Sequence, residues 1–166
     1  PGQSRGLVHD LSKLDDSALA SVAMGYQIGV TPLQMAAAVS AVANGGELLE
    51  PRLVRAVLRQ DVRIEEPRRV VRRVISAETA AELTTIMEAV VERGTAPRAR
   101  VPGHTVAGKT GTTRKVVEGR YSNSEHNVSF LGFVPSRSPV LTILVMIDTP
   151  RANDPYGGTV AAPIFS

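Results

Sequence analysis

The residues best equipped for chemistry lie between Gly103 and Thr113, in the stretch GHTVAGKTGTT. Its first eight residues fit G-x-x-x-x-G-K-[ST], the loop that cradles phosphates. Its last five, Lys109 to Thr113, fit a strand motif of serine acyl-transfer enzymes. Lys109 belongs to both patterns and can serve only one. A phosphate loop needs a buried strand before its first glycine and a helix starting at Lys-Thr, because backbone N–H groups and the helix dipole must point at the ligand. The residues before Gly103 are TAPRARVP, and those after Thr110 are GTTRKVVEG. The first carries two prolines and two arginines, and the second is rich in glycine and β-branched residues that do not begin a helix. The nucleotide reading is set aside on that context.

Acyl transfer asks for an extended strand that ends in Lys-Thr-Gly-Thr and faces a cleft. The Lys109 ammonium lowers the cost of deprotonating a nearby serine and attracts a substrate carboxylate. Gly111, lacking a β-carbon, lets a peptide backbone or a strained acyl ring lie flat on the strand, and the Thr112 N–H can donate to a developing oxyanion. The Thr110 and Thr112 hydroxyls are expected on opposite faces, so that only one of them looks into the cleft. Taken alone, Lys-Thr-Gly is a weak signal, and an ordinary strand with an exposed lysine accounts for it.

The elements that must hold this strand are legible around it. In VTPLQMAAAVSAVANGG, Thr31 is an N-cap, Pro32 occupies the first helical position and Gln34 completes a capping box, with the stop at Asn44-Gly45-Gly46. Its alanines give a thin helix that neighbours can approach on more than one side, hence a buried one. A second helix starts at the Ser76 cap and runs to Gly94. Ala80, Leu83, Ile86, Met87 and Val90 form its core stripe, and Glu82, Thr85, Glu88 and Glu92 its outer face. Between the helices, residues 53–58 and 69–74 alternate arginine with apolar residues and read as strands of a small hairpin-like insert over 50–75. Strands are expected at 105–109, 128–134 and 140–147. The last two are antiparallel neighbours across PSRSP, and the last, apolar almost throughout, is expected at the centre of the sheet. DPYGGTVAAPIFS reads as a glycine turn entering a helix. The fold class is therefore α+β, helices packed on an antiparallel sheet.

Composition narrows the chemistry. With 43% hydrophobic and 21% charged residues the chain is not disordered, and its apolar runs are too short to span a bilayer, so this piece is expected to be soluble. Absence of cysteine removes disulfides and thiolate chemistry, and His9, His104 and His126 have no metal-ligand spacing, so no metal or cofactor is expected. The net charge of +3 comes with few aromatic residues and no nucleic-acid motif. The arginines of 52–73 and 93–100 are read as solvated faces, and no nucleic-acid partner is expected.

The chain resembles the C-terminal half of the transpeptidase domain of class B penicillin-binding proteins. The resemblance rests on PGQSRG at the start, Ala23 to Val54, VAGKTGTT (106–113), SFLGFVP (129–135) and YGGTVAAPIF (156–165), in the family's order and approximate spacing. It implies a penicillin-binding, serine β-lactamase-like fold and a peptidoglycan D,D-transpeptidase that cross-links stem peptides through a serine acyl-enzyme. Lys109, Thr110 and Gly111 match the family's Lys-Thr-Gly. Thr112 matches the hydroxyl residue that binds the carboxylate of a stem peptide or β-lactam and lends an oxyanion-hole N–H. Tyr121 and Tyr156 fall in loops where relatives line the cleft with aromatic residues, although simple packing suits both better. The implied parent is anchored in the cell's inner membrane with this domain outside the cytoplasm, working with a glycosyltransferase of the elongation or division machinery.

The family's Ser-x-x-Lys and Ser-x-Asn are both missing. Asp10, Val106 and Thr112 stand three residues before the lysines at 13, 109 and 115, and no serine stands two before Asn44, Asn123, Asn127 or Asn153. The chain thus reads as a fragment, residues 1–166, that carries one wall of the site without its nucleophile and is inactive alone. An exposed sheet edge on such a piece would invite dimerisation or strand exchange. Two alternatives share the Lys-Thr-Gly chemistry or the scaffold: a serine β-lactamase or D,D-carboxypeptidase, and a catalytically inactive penicillin-binding-like sensor or assembly module.

Overall fold

A computed structural model describes residues 4–10, 12 and 14–166. Residues 1–35 and 36–166 form two compact units. In the first, helix α1 (Asp16–Ala23) is capped by Asp15, whose carboxylate accepts from Ala18 N at 2.7 Å. Helix α2 (Pro32–Ala43) starts with the capping box read from the sequence. Gln34 N donates to Thr31 Oγ1 (3.2 Å), and Thr31 N donates to Gln34 Oε1 (2.8 Å).

In the second unit, the end of α2 turns at Asn44 to Gly46 into β1 (Glu47–Leu49). Only Ala41 of α2 is fully buried, which corrects the expectation of an enclosed helix. A thin alanine profile permits close packing but does not supply the neighbour. Strands β2 (Ala56–Arg59) and β3 (Val62–Glu65) form an exposed hairpin across Gln60-Asp61, both at positive φ. Strand β4 (Val70–Arg73) pairs instead with β1, so the two arginine-rich runs do not pair with each other. Their arginines are solvated and meet carboxylates at the surface, as in Arg63–Glu65 (2.7 Å) and Arg68–Glu47 (3.0 Å).

Helix α3 (Ala77–Arg93) begins at Ser76, whose hydroxyl accepts from Thr79 N at 3.1 Å. Its inner face runs through Ala80, Thr84, Met87, Glu88 and Val91, an i, i+4, i+7, i+8, i+11 series. Two assignments change as a result. Ile86 falls off that stripe and is 61% exposed, whereas the Glu88 side chain is only 13% exposed and accepts a hydrogen bond from the buried Ser136 hydroxyl. A carboxylate on the inward register is tolerated because it has that partner.

The main sheet is a meander of β5 (Ala107–Val117), β6 (Arg120–Val134) and β7 (Leu141–Asp148) in the order β5-β6-β7. The central strand is β6, not β7: two successive hairpins place the middle segment between its neighbours, whatever the apolarity of the last. Val128, Phe130, Leu131 and Phe133 of β6 are buried, while Leu141 and Met146 of β7 are 56% and 52% exposed. Both β5 and β6 run well past the expected limits, as a ribbon that turns at Glu118-Gly119, where φ is +51° and +77°. Positive φ at both central residues suits the twist of a two-residue hairpin.

One sheet face carries Phe130, set edge-to-face against Phe165 at 4.8 Å. Around this pair cluster Val91, Ala96, Ala99, Val106, Ala161 and Ala162, so the end of α3 and the C-terminal helical segment close over β5 and β6. That segment is one wide turn, Gly157–Ala161, followed by α4 (Ala162–Phe165).

Candidate active site

The Lys-Thr-Gly-Thr segment lies early in β5, an outer strand of the sheet. One edge of it pairs with β6, Lys109 opposite Leu131 and Thr112 opposite Val128. Among the described residues no strand pairs with its other edge. An edge of this kind offers unpaired N–H and C=O groups to an extended ligand.

Thr110 and Thr112 share one face rather than occupying opposite ones, because side chains alternate along a strand and residues two apart point the same way. Both line a cleft of about 370 Å³ with Thr95, Arg98, Tyr156 and Thr159. Thr110 Oγ1 lies 2.9 Å from Thr95 Oγ1, and Thr112 Oγ1 accepts from Gly157 N at 3.2 Å. Lys109 is exposed, and its Nζ donates to Thr110 O at 3.0 Å and lies 3.4 Å from Thr110 Oγ1. No carboxylate among the described residues pairs with this ammonium. Its charge is therefore available to a ligand.

Close backbone packing fixes the strand from behind. A β-carbon on Gly108 would run into the Phe130 ring, and one on Gly111 would come within 2.5 Å of Ser129 Oγ. At Gly157 it would meet Ser129 O and Gly111 O, the latter at 2.6 Å; at Gly158 it would meet Thr95 O. The glycine pair of the C-terminal segment thus lets that segment rest directly on the backbone of the Lys-Thr-Gly strand. From the sequence these glycines were a turn entering a helix, and Thr95 merely followed a helix stop. What makes them part of the site is contact between segments 45 or more residues apart, for which a single sequence carries no local signal.

The structure brings Lys109, Thr110, Gly111, Thr112 and Tyr156 together. Tyr156 is 60% exposed at the cleft, so it is a rim residue rather than a packing one. Tyr121 stands apart, at the far end of the β5–β6 ribbon opposite Val116, and is 61% exposed.

This arrangement, a Lys-Thr-Gly-Thr strand at an open sheet edge backed by a C-terminal helical segment, is that of the penicillin-recognising acyl-transfer enzymes. Comparison with known proteins narrows it. The family model for the penicillin binding protein transpeptidase domain matches residues 1–166. Stage V sporulation protein D of Bacillus subtilis is 40% identical over 167 residues, covering 98% of this chain and 26% of that protein. The probable peptidoglycan D,D-transpeptidase PenA of Neisseria flavescens is 36% identical, covering 99% of this chain and 39% of the relative. Among solved structures, penicillin binding protein 3 of Mycobacterium tuberculosis, complexed with aztreonam, superimposes with a TM-score of 0.87 at 36% identity, over 99% of this chain and 39% of that one. The chain belongs to the penicillin-binding protein transpeptidase family and has its α+β fold. It spans about a quarter to two fifths of the length of these relatives.

Proposed function

We propose that this chain forms the Lys-Thr-Gly wall of a peptidoglycan D,D-transpeptidase, in which a serine outside residues 1–166 attacks the stem peptide. The observation that carries this reading is the open edge of β5, with an ammonium that has no carboxylate partner beside two hydroxyls on one face. A stem peptide or β-lactam laid along that edge meets Gly111 without steric hindrance. Its carboxylate is received by Thr110, Thr112 and the charge of Lys109. The Thr112 N–H is offered to the carbonyl oxygen as it gains charge in the tetrahedral state. The acyl group then passes to an amine of a neighbouring stem peptide, which closes the cross-link. No cofactor enters these steps.

Substrate and site of action follow from the same reading. The ligands are stem peptides and β-lactams, and the mycobacterial neighbour with aztreonam bound supports the second of these. Peptidoglycan lies outside the cytoplasm. The domain therefore works there, carried by a membrane-anchored parent that acts beside a glycan-polymerising enzyme.

Acylation and turnover by benzylpenicillin test this function. The full-length protein is expected to be acylated with one-to-one stoichiometry and to release the product slowly, while the isolated 166-residue chain takes no label. Rapid hydrolysis would instead place the protein with the β-lactamases. Absence of any acylation in the full-length protein would favour a sensor or assembly module.

A further inference from the structure

Six residues beyond Lys109, the β5–β6 ladder is interrupted. Arg114 pairs with His126 and Val116 with Tyr121, so Lys115 alone on β5 faces the four residues 122–125 of β6. Extra residues on one strand bend it and raise its local twist. The bulge is closed internally, with Ser122 Oγ accepting from Ser124 N (3.3 Å) and Glu125 N (3.1 Å). Beyond it stands the hairpin tip, Val116 to Tyr121. Val116, Val117 and Tyr121 in this tip are 62%, 43% and 61% exposed, so no apolar core fixes its direction.

What does cross the bend is Lys115. Its Nζ lies 2.7 Å from Asp148 Oδ1, 3.7 Å from Glu125 Oε2 and 3.3 Å from Thr149 Oγ1. These partners come from the β6 bulge and from the end of β7, so one side chain reaches across the sheet, roughly 10 Å at the usual strand spacing. The far end is itself held: Thr149 Oγ1 donates to Asp148 Oδ1 (2.6 Å), and Thr149 N donates to His126 O (2.8 Å). The hydrogen bond between Lys115 and Asp148 is the main reason that the ammonium sits above its ordinary pKa and the carboxyl below its own. Exposed ion pairs add little to stability. The value of this one lies in where it stands, at the bend of the ribbon that continues the Lys-Thr-Gly strand.

We propose that Lys115 is a positioning residue. By tying the β6 bulge to the end of β7 it sets the angle of the Val116–Tyr121 tip, which bounds whatever part of the substrate runs past Thr112 along β5. From Thr112 to Val116 is four residues, about 14 Å of strand. The tip therefore meets the extended side chain of a ligand, not its reacting carbonyl. This inference rests on the acyl-transfer reading above.

The test compares wild type, Lys115→Met, Lys115→Arg and Lys109→Ala in the full-length protein. Acylation is measured with benzylpenicillin and with piperacillin, whose side chain is long, separating the half-saturating concentration from the limiting rate. Lys115→Met is expected to raise the half-saturating concentration about tenfold for piperacillin, with benzylpenicillin and both limiting rates changed less than about twofold. Lys115→Arg restores the wild-type values. Should Lys115→Met fold poorly, the isosteric Asp148→Asn is expected to give the same selective shift. Equal changes for both penicillins, no change, or failure of arginine to restore the values overturns the positioning role. Absence of acylation in wild type, or normal acylation of Lys109→Ala, overturns the acyl-transfer reading instead.

Discussion

Lys109→Ala in the full-length protein abolishes detectable labelling by a fluorescent penicillin while leaving its thermal melting unchanged. The two halves of this expectation come from one geometry. The Lys109 side chain is exposed and holds only its neighbour's carbonyl and hydroxyl, so truncating it leaves no buried group unpaired. Surface substitutions of that kind move stability by about 0.5 kcal/mol or less. The same ammonium, without a carboxylate partner, supplies the charge that receives the substrate carboxylate and assists proton transfer at the serine. Loss of one positioned proton-transfer or charge-stabilising group costs about 10²–10⁴ in rate. Normal labelling of the alanine variant would remove Lys109 from the site.

Phe130→Ala is expected to give the largest loss of stability, about 3–5 kcal/mol, the usual cost of emptying a fully buried aromatic position. Phe130 is fully buried, faces Phe165 at 4.8 Å and fills the space left by Gly108. It also pairs across the ladder with Thr110. Collapse into the cavity would shift the strand that carries the site, so acylation should fall along with stability. Chemical denaturation of the full-length protein followed by near-ultraviolet signals of this domain gives the measurement. A midpoint within error of wild type would show that Phe130 is not the keystone of this core.

The sequence carried the site more fully than the sheet around it. Thr31 with Gln34, and Ser76 with Thr79, are short-range partnerships whose chemistry is written within four residues, and both helix starts stand where those residues predict. Lys109 to Thr112 could be assigned to a strand because the surrounding glycines and β-branched residues oppose a helix. The order of strands was harder. Apolarity nominated β7 as the centre, but position in a meander depends on connectivity, and β6 is central although its first half is polar. The ribbon beyond Thr113 was missed because its turn is Glu-Gly rather than Asn-Gly, and its polar strands lack the alternation that a buried face imposes. Glu88 was assigned outward from its charge, when its register points inward and Ser136 satisfies it.

The central claim is that this chain lends the Lys-Thr-Gly wall to a nucleophile lying elsewhere in the protein. Peptide mapping by mass spectrometry after acylation of the full-length protein with benzylpenicillin tests it most directly. The account predicts a single acylated serine outside residues 1–166, followed three residues later by lysine. An acyl group found on a serine or threonine within residues 1–166 would contradict it.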